Sequence, residues 1–364
     1  MPDRKTTKEI IDLTQKLISF KTTHDNKEEL IACINFIKEY YFNSKVFISE
    51  FTFKGFPCLF IATNKRKRQD LILNGHIDVV PGNETQFHAT VETGKLFGRG
   101  AYDMKTQVAT MMVLLKNLSN NKILPKVGLM IVSDEEVGGP YCTRLMIKKG
   151  YKSHFALIGE PTNFHLETKH KGLLVVQLLA YGAHSHGARP WSGRNAIEKL
   201  WKQYTRFVND IEIQATSKHK WHISVNPTSF IAEGPFNMTP SRAEMTLDIR
   251  TTEDFNMNKV IQILRKNKIK YKVLVKGSML LNRGKNQIMK SLKKITEKEL
   301  HKRVKYIKSC GSSDGRFFSE QNIPSINFGM AGKNHHKSTE YVKIGSIGSY
   351  YRILDKFVKE NFSK

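Results

Sequence analysis

Short apolar runs alternate with segments of helical periodicity along the first 160 residues of the chain. The apolar runs cover 71–73, 127–132 and 155–158, and helical patterns cover about 104–118 and 141–149. Strands that alternate with helices in this way usually pair in parallel, with helices on the faces of the sheet. The pattern therefore predicts an α/β domain built on a mostly parallel sheet.

Two more helices are predicted ahead of the first apolar run. Thr6 and Glu9 have the spacing of a capping box and precede apolar residues at helical spacing between positions 10 and 18. A second amphipathic pattern covers about 27–42. We therefore expect the first helix to begin close to Thr6.

From about residue 172 the pattern becomes that of a smaller α+β domain. Strands are predicted at 173–180, 222–231, 242–250 and 270–277, and helices at 195–208 and 257–267. Alternation resumes after about 283, with an apolar run at 323–328 and a last helix from about 345. The simplest architecture is one α/β domain formed by 1–171 and 283–364, with a second domain, 172–282, inserted between them.

The composition of the 364 residues is that of a globular protein. Apolar residues make up 40%, enough for a sizeable core, which excludes a disordered or collagen-like chain. No run approaches the ~18–20 apolar residues that span a bilayer, and the N-terminal charges are not followed by an apolar segment. We expect no signal peptide, anchor or membrane partner. The four cysteines are far apart, which argues against disulfides or a cysteine-only metal site and suits the cytoplasm.

The unusual property of the composition is its charge. Lysine and arginine number 59 against 33 acidic residues, a formal net charge of +26. Such a charge attracts polyanions, so a basic nucleic-acid-binding protein is an alternative. The dense basic runs, at 65–68 and between 265 and 308, are not interleaved with aromatic side chains. Solvated surfaces explain such runs more often than binding grooves do, and nucleic acid is the less favoured partner.

Side chains that can bind metal follow the predicted strands or open the next helix. They are His76, Asp78, Asp103, Asp134, Glu135, Glu136, Glu160, His335 and His336. Each has an ordinary structural role when taken alone, such as a helix cap or a solvated turn. Parallel strands, however, share one carboxyl edge, where sites form. Two histidines and three carboxylates at that edge would suit two zinc ions that share a bridging carboxylate.

Glu135 and Glu136 follow the predicted strand at 127–132 and can take two different roles. Neighbouring residues of an extended segment point in opposite directions, so one glutamate can bind metal while the other handles a proton. A free carboxylate beside a metal-bound water is what a hydrolase needs. Asp78, two residues after His76, can accept a hydrogen bond from the other imidazole nitrogen and fix the tautomer.

Six segments, in this order, resemble one enzyme family. They are GHIDVVPG (75–82), GRGAYDMK (98–105), SDEEVGG (133–139), GEPT (159–162), GSSDGRF (311–317) and HKSTE (336–340). The chain resembles the di-zinc amidohydrolases that include succinyl-diaminopimelate desuccinylase, acetylornithine deacetylase, aminoacylase and the glutamate carboxypeptidases. The resemblance covers nearly the whole chain and implies a zinc-hydrolase domain with an inserted, ferredoxin-like domain for dimerisation or as a lid.

The resemblance implies a complete ligand set for two zinc ions, for which Co²⁺ can substitute. The ligands would be His76 and Glu160 for one ion, Glu136 and His336 for the other, and Asp103 between them. The family's pattern of a histidine followed four residues later by glutamate, here Glu340, favours His336 over its neighbour His335.

The resemblance also implies catalytic and substrate-binding residues. Glu135 would be the general base and acid, and Asp78 would orient the neighbouring zinc ligand. The segment 182–190 resembles the one whose histidine reaches the partner's active site in a homodimer, and its spacing indicates His186. The substrate-binding residues would be Asn237, Arg250, Gly311 and Ser312.

The implied reaction is hydrolysis of the amide bond of an N-acyl amino acid. The segments at 311–317 and 336–337 favour the desuccinylase branch, which releases succinate and diaminopimelate from N-succinyl-LL-2,6-diaminopimelate in lysine synthesis. Arg189, Cys310 and Ser312 depart from that branch's pattern, so acetylornithine deacetylase and a dipeptidase or carboxypeptidase are alternatives. The positive charge would favour acidic substrates by electrostatic steering.

Overall fold

The computed structural model describes residues 4–121, 123–282 and 286–363. The helices are α1 (Arg4–Ser19), α2 (Lys27–Tyr40), α3 (Lys105–Leu118), α4 (Cys142–Lys148), α5 (Ala196–Asn209), α6 (Met257–Lys266), α7 (Gln287–Leu300), α8 (Gly315–Ser319) and α9 (Ile344–Phe362). The strands are β1 (Phe47–Phe53), β2 (Phe56–Ala62), β3 (Arg68–His76), β4 (Thr90–Glu92), β5 (Lys95–Phe97), β6 (Val127–Val132), β7 (Lys152–Ile158), β8 (Leu166–His170), β9 (Gly172–Tyr181), β10 (Ser224–Ile231), β11 (Arg242–Thr251), β12 (Lys270–Gly277), β13 (Leu280–Leu281), β14 (Tyr306–Ser309), β15 (Ser325–Asn327), β16 (Gly332–Lys333) and β17 (Tyr341–Lys343).

The largest sheet has a parallel centre and antiparallel flanks. Its strand order is β1-β2-β6-β3-β7-β15-β8-β13, with β14 paired to β8. Strands β6, β3, β7 and β15 are parallel, whereas β2 joins β6, and β8 joins β15, in antiparallel pairs. The central strand β6 is buried throughout, as expected of a strand covered on both faces. The predicted α/β class with a mostly parallel sheet is confirmed.

Helix α3 packs closely on the end of β3. Nearly all of its residues are buried, so it forms part of the core rather than a surface layer. A Cβ atom on Gly75 of β3 would lie 2.7 Å from the side chain of Val108 in α3. Glycine therefore permits this approach, which places the start of α3, two residues after Asp103, beside the carboxyl end of β3.

The chain divides into two compact units. The first comprises the described residues of Met1–Lys169, Leu280–Ile307 and Ser313–Lys364; the second comprises His170–Met279 and Lys308–Ser312. The sequence predicts one insertion, at 172–282, and does not anticipate the short second excursion at 308–312. Because two stretches form the second unit, it is discontinuous in sequence.

The second unit has the strand order of a ferredoxin-like fold. Its elements follow as β9, α5, β10, β11, α6 and β12, and the sheet order is β10-β11-β9-β12 with every pair antiparallel. Strands β9 and β11 alternate buried and partly exposed residues, so one face of the sheet is covered. The helices contribute Leu200, Phe207, Val260 and Leu264 to the same apolar core.

Two features of the first unit differ from the sequence prediction. Helix α1 begins by Arg4, so the predicted capping box at Thr6 and Glu9 is wrong: both residues lie inside the helix. The carboxylate of Glu9 instead accepts a hydrogen bond from the hydroxyl of Tyr40 at 2.9 Å, which links α1 to α2. A small sheet, β16-β17-β5-β4, was also not anticipated. Within the described ranges, no helix combines the length and the apolar character needed to cross a membrane.

Candidate metal centre

Three neighbouring parallel strands end beside the candidate ligands. His76 is the last residue of β3 and is paired in register with Val132, the last residue of β6. On the other side of β3, strand β7 ends at Ile158, and Glu160 follows two residues later. The turn after β6 carries Glu135. The shared carboxyl edge of the sheet therefore collects residues from three separate parts of the sequence.

The carboxylate of Asp103 lies between two imidazole rings. Its Oδ1 is 3.2 Å from Nε2 of His76, and its Oδ2 is 3.3 Å from Nε2 of His336. The same nitrogen of His336 is 3.2 Å from Oε1 of Glu136. The ring of His335 instead lies against Tyr102, with 6.1 Å between the ring centres. Asp103 therefore has one imidazole ring at each of its carboxylate oxygens.

Two overlapping groups of side chains could each hold a metal ion. The ligand atoms of His76, Glu135 and Glu160 all lie within 4.8 Å of one another, and so do those of His76, Asp103 and Glu136. The structure therefore brings the predicted ligands together. Glu135, which the resemblance implies as the general base and acid, also lies close enough to His76 and Glu160 to bind a metal ion with them.

Asp78 is completely buried and contacts two of the ligand segments. Its main-chain carbonyl oxygen is 2.9 Å from Nδ1 of His76, whereas its carboxylate Oδ1 is 3.6 Å away. The predicted carboxylate–imidazole hydrogen bond is thus replaced by one to the main chain. The reason is that the carboxylate faces Glu136, whose N–H donates to Oδ2 at 2.8 Å. Asp78 thereby fixes the position of both segments.

The crowding of acidic groups changes their proton affinities. Burial raises the pKa of Glu135 and of Glu160 well above the usual range, and neighbouring carboxylates add to the effect. Burial also acts to raise the pKa of Asp103, but hydrogen bonds from His336 and His76 outweigh it and hold that pKa well below its usual range. Hydrogen bonds to Asp103 and Glu136 in turn raise the pKa of His336 to about 10. Apart from Asp103, these groups therefore hold their protons more strongly than the same side chains do in water.

The donor set fits divalent metal ions. Oε1 of Glu160 and Oδ1 of Asp78 are two of the buried side-chain atoms that have no hydrogen-bond partner in the described part of the chain. Such oxygens are costly unless a cation or water meets them. The ion-pair partners of Asp103 and Glu136 in the described part of the chain are imidazoles rather than lysine or arginine. Imidazole and carboxylate together are ligands that zinc accepts.

His186 and Asn237 lie next to each other in the second unit. His186 forms an isolated β-bridge with Met238, and the N–H of Gly187 donates to the carbonyl of Asn237 at 2.6 Å. Both predicted site residues are exposed. Two residues that are 51 positions apart by number are therefore presented on one surface of this unit.

Arg250, Gly311 and Ser312 also belong to the second unit. The guanidinium of Arg250, on β11, donates to both carboxylate oxygens of Asp248, at 2.8 and 3.0 Å. Gly311 is exposed and Ser312 is half-buried, and both lie in the short 308–312 segment. The N–H of Gly311 donates to the hydroxyl of Ser309 at 3.0 Å.

Sequence reasoning assigned no role to Arg99. This residue is 3% exposed, and its Nη1 donates to Oε2 of Glu340 at 2.8 Å. Glu340 is 1% exposed, and the sequence pattern used it only as the glutamate four residues after His336. The available signal was an arginine between two glycines shortly before Asp103, in Gly98-Arg99-Gly100. That position, four residues before Asp103, indicates a link between the arginine and the candidate site.

Comparison with known proteins decides the family. Residues 72–360 match the sequence profile of peptidase family M20/M25/M40. The chain belongs to this family. It is 29% identical over 328 residues to a succinyl-diaminopimelate desuccinylase of Pelagibacter ubique, covering 79% of this chain and 82% of the relative. It is 24% identical over 374 residues to that of Nautilia profundicola, covering 96% and 99%.

Solved structures share the fold of this family member. A family M20 metallo-carboxypeptidase from Sulfolobus solfataricus has a TM-score of 0.78 at 18% identity, covering 96% of this chain and 98% of that chain. The aminopeptidase PepT from Bacillus cereus has a TM-score of 0.77 at 13% identity, covering 97% and 98%. The predicted family is confirmed, and the chain is a metal-dependent amidohydrolase.

Proposed function

We propose that the chain is a desuccinylase that hydrolyses N-succinyl-LL-2,6-diaminopimelate to succinate and diaminopimelate. The observation that carries the hydrolytic site is the carboxylate of Asp103 with a histidine at each of its oxygens. The substrate is supported by relatives that bear this activity in their names, at 22–29% identity over most of the chain. The reaction would contribute to lysine synthesis in the cytoplasm, where the four free cysteines would remain reduced.

We assign two zinc ions, replaceable by Co²⁺, to the metal centre. The ligands would be His76 and Glu160 for the first ion, Glu136 and His336 for the second, and Asp103 for both. When bound, zinc would lower the pKa of a coordinated water toward neutrality and polarise the substrate carbonyl. The short distances between Asp103 and the two imidazoles support its role as the bridge.

Glu135 would transfer the proton in both halves of the reaction. It would accept a proton from the attacking water and then donate it to the nitrogen of the leaving amine. The position of Glu135 beside His76 and Glu160 supports this role. Asp78 would position His76 and Glu136 through the contacts described above.

The second unit would supply substrate recognition. The guanidinium of Arg250 has the planar fork that pairs with a carboxylate, and we propose that the substrate binds there, together with Asn237, Gly311 and Ser312. The net charge of +26 would speed the encounter with an acidic substrate.

We further propose a homodimer that forms through the second unit. This unit exposes bulky apolar side chains: Trp191 is 80% exposed and Trp201 is 55% exposed. In the dimer, His186 would stabilise the developing oxyanion at the partner's metal centre. Mixing His186→Ala with Glu135→Ala subunits tests this arrangement. Each mixed dimer would contain one intact site, so about a quarter of wild-type activity should return after subunit exchange; no recovery, with exchange verified, would contradict it.

The substrate is tested by measuring amine release from three compounds with the zinc-loaded protein. N-succinyl-LL-2,6-diaminopimelate is compared with N-acetylornithine and with a dipeptide, because acetylornithine deacetylase and peptidase activities are the alternatives. Glu135→Ala is the control for the active site. Preference for the succinyl compound is the expected result. Salt-dependent RNA binding without any amide hydrolysis would instead favour the alternative of a basic nucleic-acid-binding protein.

A further inference from the structure

We propose that Arg99 and Glu340 are a positioning pair that holds Asp103 and His336 in place for the second metal ion. The inference rests on the two-zinc function proposed above. It concerns residues that bind neither metal nor substrate but fix the main chain of the residues that do. Among the described residues, Glu340 belongs to neither of the two candidate ligand groups.

Glu340 holds the loop that carries Asp103. Its Oε1 accepts the N–H groups of Tyr102 at 2.9 Å and Asp103 at 3.0 Å, and its Oε2 accepts that of Gly100 at 3.1 Å. One carboxylate thus meets three N–H groups of four consecutive residues. Gly100 has a φ of +84°, a left-handed conformation that allows N–H groups close together in sequence to converge on a single anion. The conformation of this loop therefore depends on the carboxylate of Glu340.

Arg99 extends this contact to the segment that carries His336. Its Nη2 donates to the carbonyl oxygens of Pro81 at 3.2 Å and His336 at 3.5 Å, and its Nη1 also approaches that of Lys337 at 3.4 Å. Together with the ion pair to Glu340, these contacts connect the loops at 81, 99–103 and 336–340. The planar guanidinium can serve several acceptors at fixed angles, which a lysine cannot do.

Burial makes the pair a rigid support. Arg99 and Glu340 are 3% and 1% exposed, so each depends on the other for charge compensation. Removal of one partner leaves an uncompensated charge and several unmatched main-chain groups. The consequence should be selective. Both ions need Asp103, but only the second needs His336, so misplacement of the two loops should weaken the second ion more than the first.

The experiment measures binding of two equivalents of Zn²⁺ to the metal-free full-length protein by calorimetry. The variants are Glu340→Gln and Arg99→Lys, which retain the approximate size of each side chain. The matched control is Glu299→Gln, which breaks another arginine–glutamate pair of the first unit, Arg352 Nε to Glu299 Oε1 at 2.6 Å. The Co²⁺ absorption spectrum of each variant reports the ligand geometry independently of activity.

We expect the second ion to bind about 10–100-fold more weakly in Glu340→Gln and Arg99→Lys, with an altered Co²⁺ spectrum. The first ion should lose about threefold or less, and the control should retain both affinities. Wild-type binding of both ions in either folded variant would overturn the inference while leaving the two-zinc function intact. Equal weakening of both ions, with a matching fall in the melting temperature of the metal-free protein, would indicate general destabilisation and also overturn it. A wild-type protein that binds no zinc would refute the proposed function itself.

Discussion

The metal centre of the first unit and the arginine of the second unit differ in how their charges are balanced. Arg250 donates hydrogen bonds from Nε and Nη2 to the two carboxylate oxygens of Asp248, two residues away on the same strand. Glu160, in contrast, has a buried oxygen without a partner among the described residues. The charge of the arginine is therefore matched by a carboxylate on its own strand. The carboxyl group of Glu160 has no such counter-charge, and its raised pKa shows that it holds a proton in the absence of a cation.

Separating proton transfer from metal binding gives the largest expected effect. Glu135→Gln should lower kcat by about 10²–10⁴-fold, because the variant would lack the proposed general base while keeping the proposed ligands. Asp103→Asn should lower activity and zinc content together, because a neutral amide is a poor bridge. Zinc content by elemental analysis and kcat are measured on the same samples. Equal loss of zinc in the two variants would show that Glu135 is a ligand, as its distance from His76 and Glu160 also permits.

Substitution of the arginine should affect substrate binding alone. Arg250→Gln should raise KM by about 10–100-fold, the loss expected for a charge-assisted hydrogen bond pair. Zinc content should remain that of the wild type, since the residue lies in the other unit. Asp248→Asn, which weakens the competing partner, is the companion variant. KM is measured by steady-state kinetics with the succinyl substrate. An unchanged KM in Arg250→Gln would show that Arg250 does not bind the substrate.

Glu167 provides a smaller effect, through pH. Burial raises its pKa from the ordinary 4.5 to about 7, and Asn327 donates to it at 2.9 Å. The folded state therefore keeps this proton longer than the unfolded state does. Its stabilising contribution is complete below pH 4.5 and is lost as the pH rises through 7, at about 1.4 kcal/mol per pKa unit. Glu167→Gln should remove up to about 3 kcal/mol of this pH dependence, measured by urea unfolding between pH 4.5 and 8 at constant metal content. Parallel curves for variant and wild type would contradict the assignment.

An exposed ion pair should contribute least to the free energy of unfolding. Lys359 donates to Asp355 at 2.7 Å on the exposed face of α9, one turn apart. Lys359→Ala should change the free energy of unfolding by no more than about 0.5 kcal/mol, because solvent screens the pair. Urea unfolding at neutral pH measures the change. A loss above about 1 kcal/mol would mean that surface charges of this very basic chain contribute more than pairs of this kind usually do.

Much of the fold could be predicted because it depends on local periodicity. The burial of β6 and the alternation in β9 are visible in the sequence as a continuous apolar run and an alternating one. The start of α1 could not be predicted in this way. The signal at Thr6 and Glu9 was real as a spacing, but Glu9 is used for a contact with Tyr40, which only tertiary structure reveals. The short 308–312 excursion has no periodicity by which it could have been recognised.

The candidate site, like the fold, is only partly predictable from the sequence. His76, Glu136 and Glu160 end or follow parallel strands, so their assembly at one edge of the sheet follows from parallel pairing. The partners of the main chain do not follow from any pattern: neither the Asp78 carbonyl that faces His76 nor the convergence of three N–H groups on Glu340 leaves a trace in residue order. The candidate ligands are therefore more visible in the sequence than the groups that hold them in place.

The division of the chain has a consequence for engineering. Between 169 and 313 the chain changes unit four times, because 280–307 belongs to the first unit and 308–312 to the second. Joining residue 169 directly to residue 280 would delete most of the second unit yet leave its 308–312 segment stranded in the product. A minimal hydrolase core, or an exchangeable recognition module, must therefore be cut at two places in the gene and not at one.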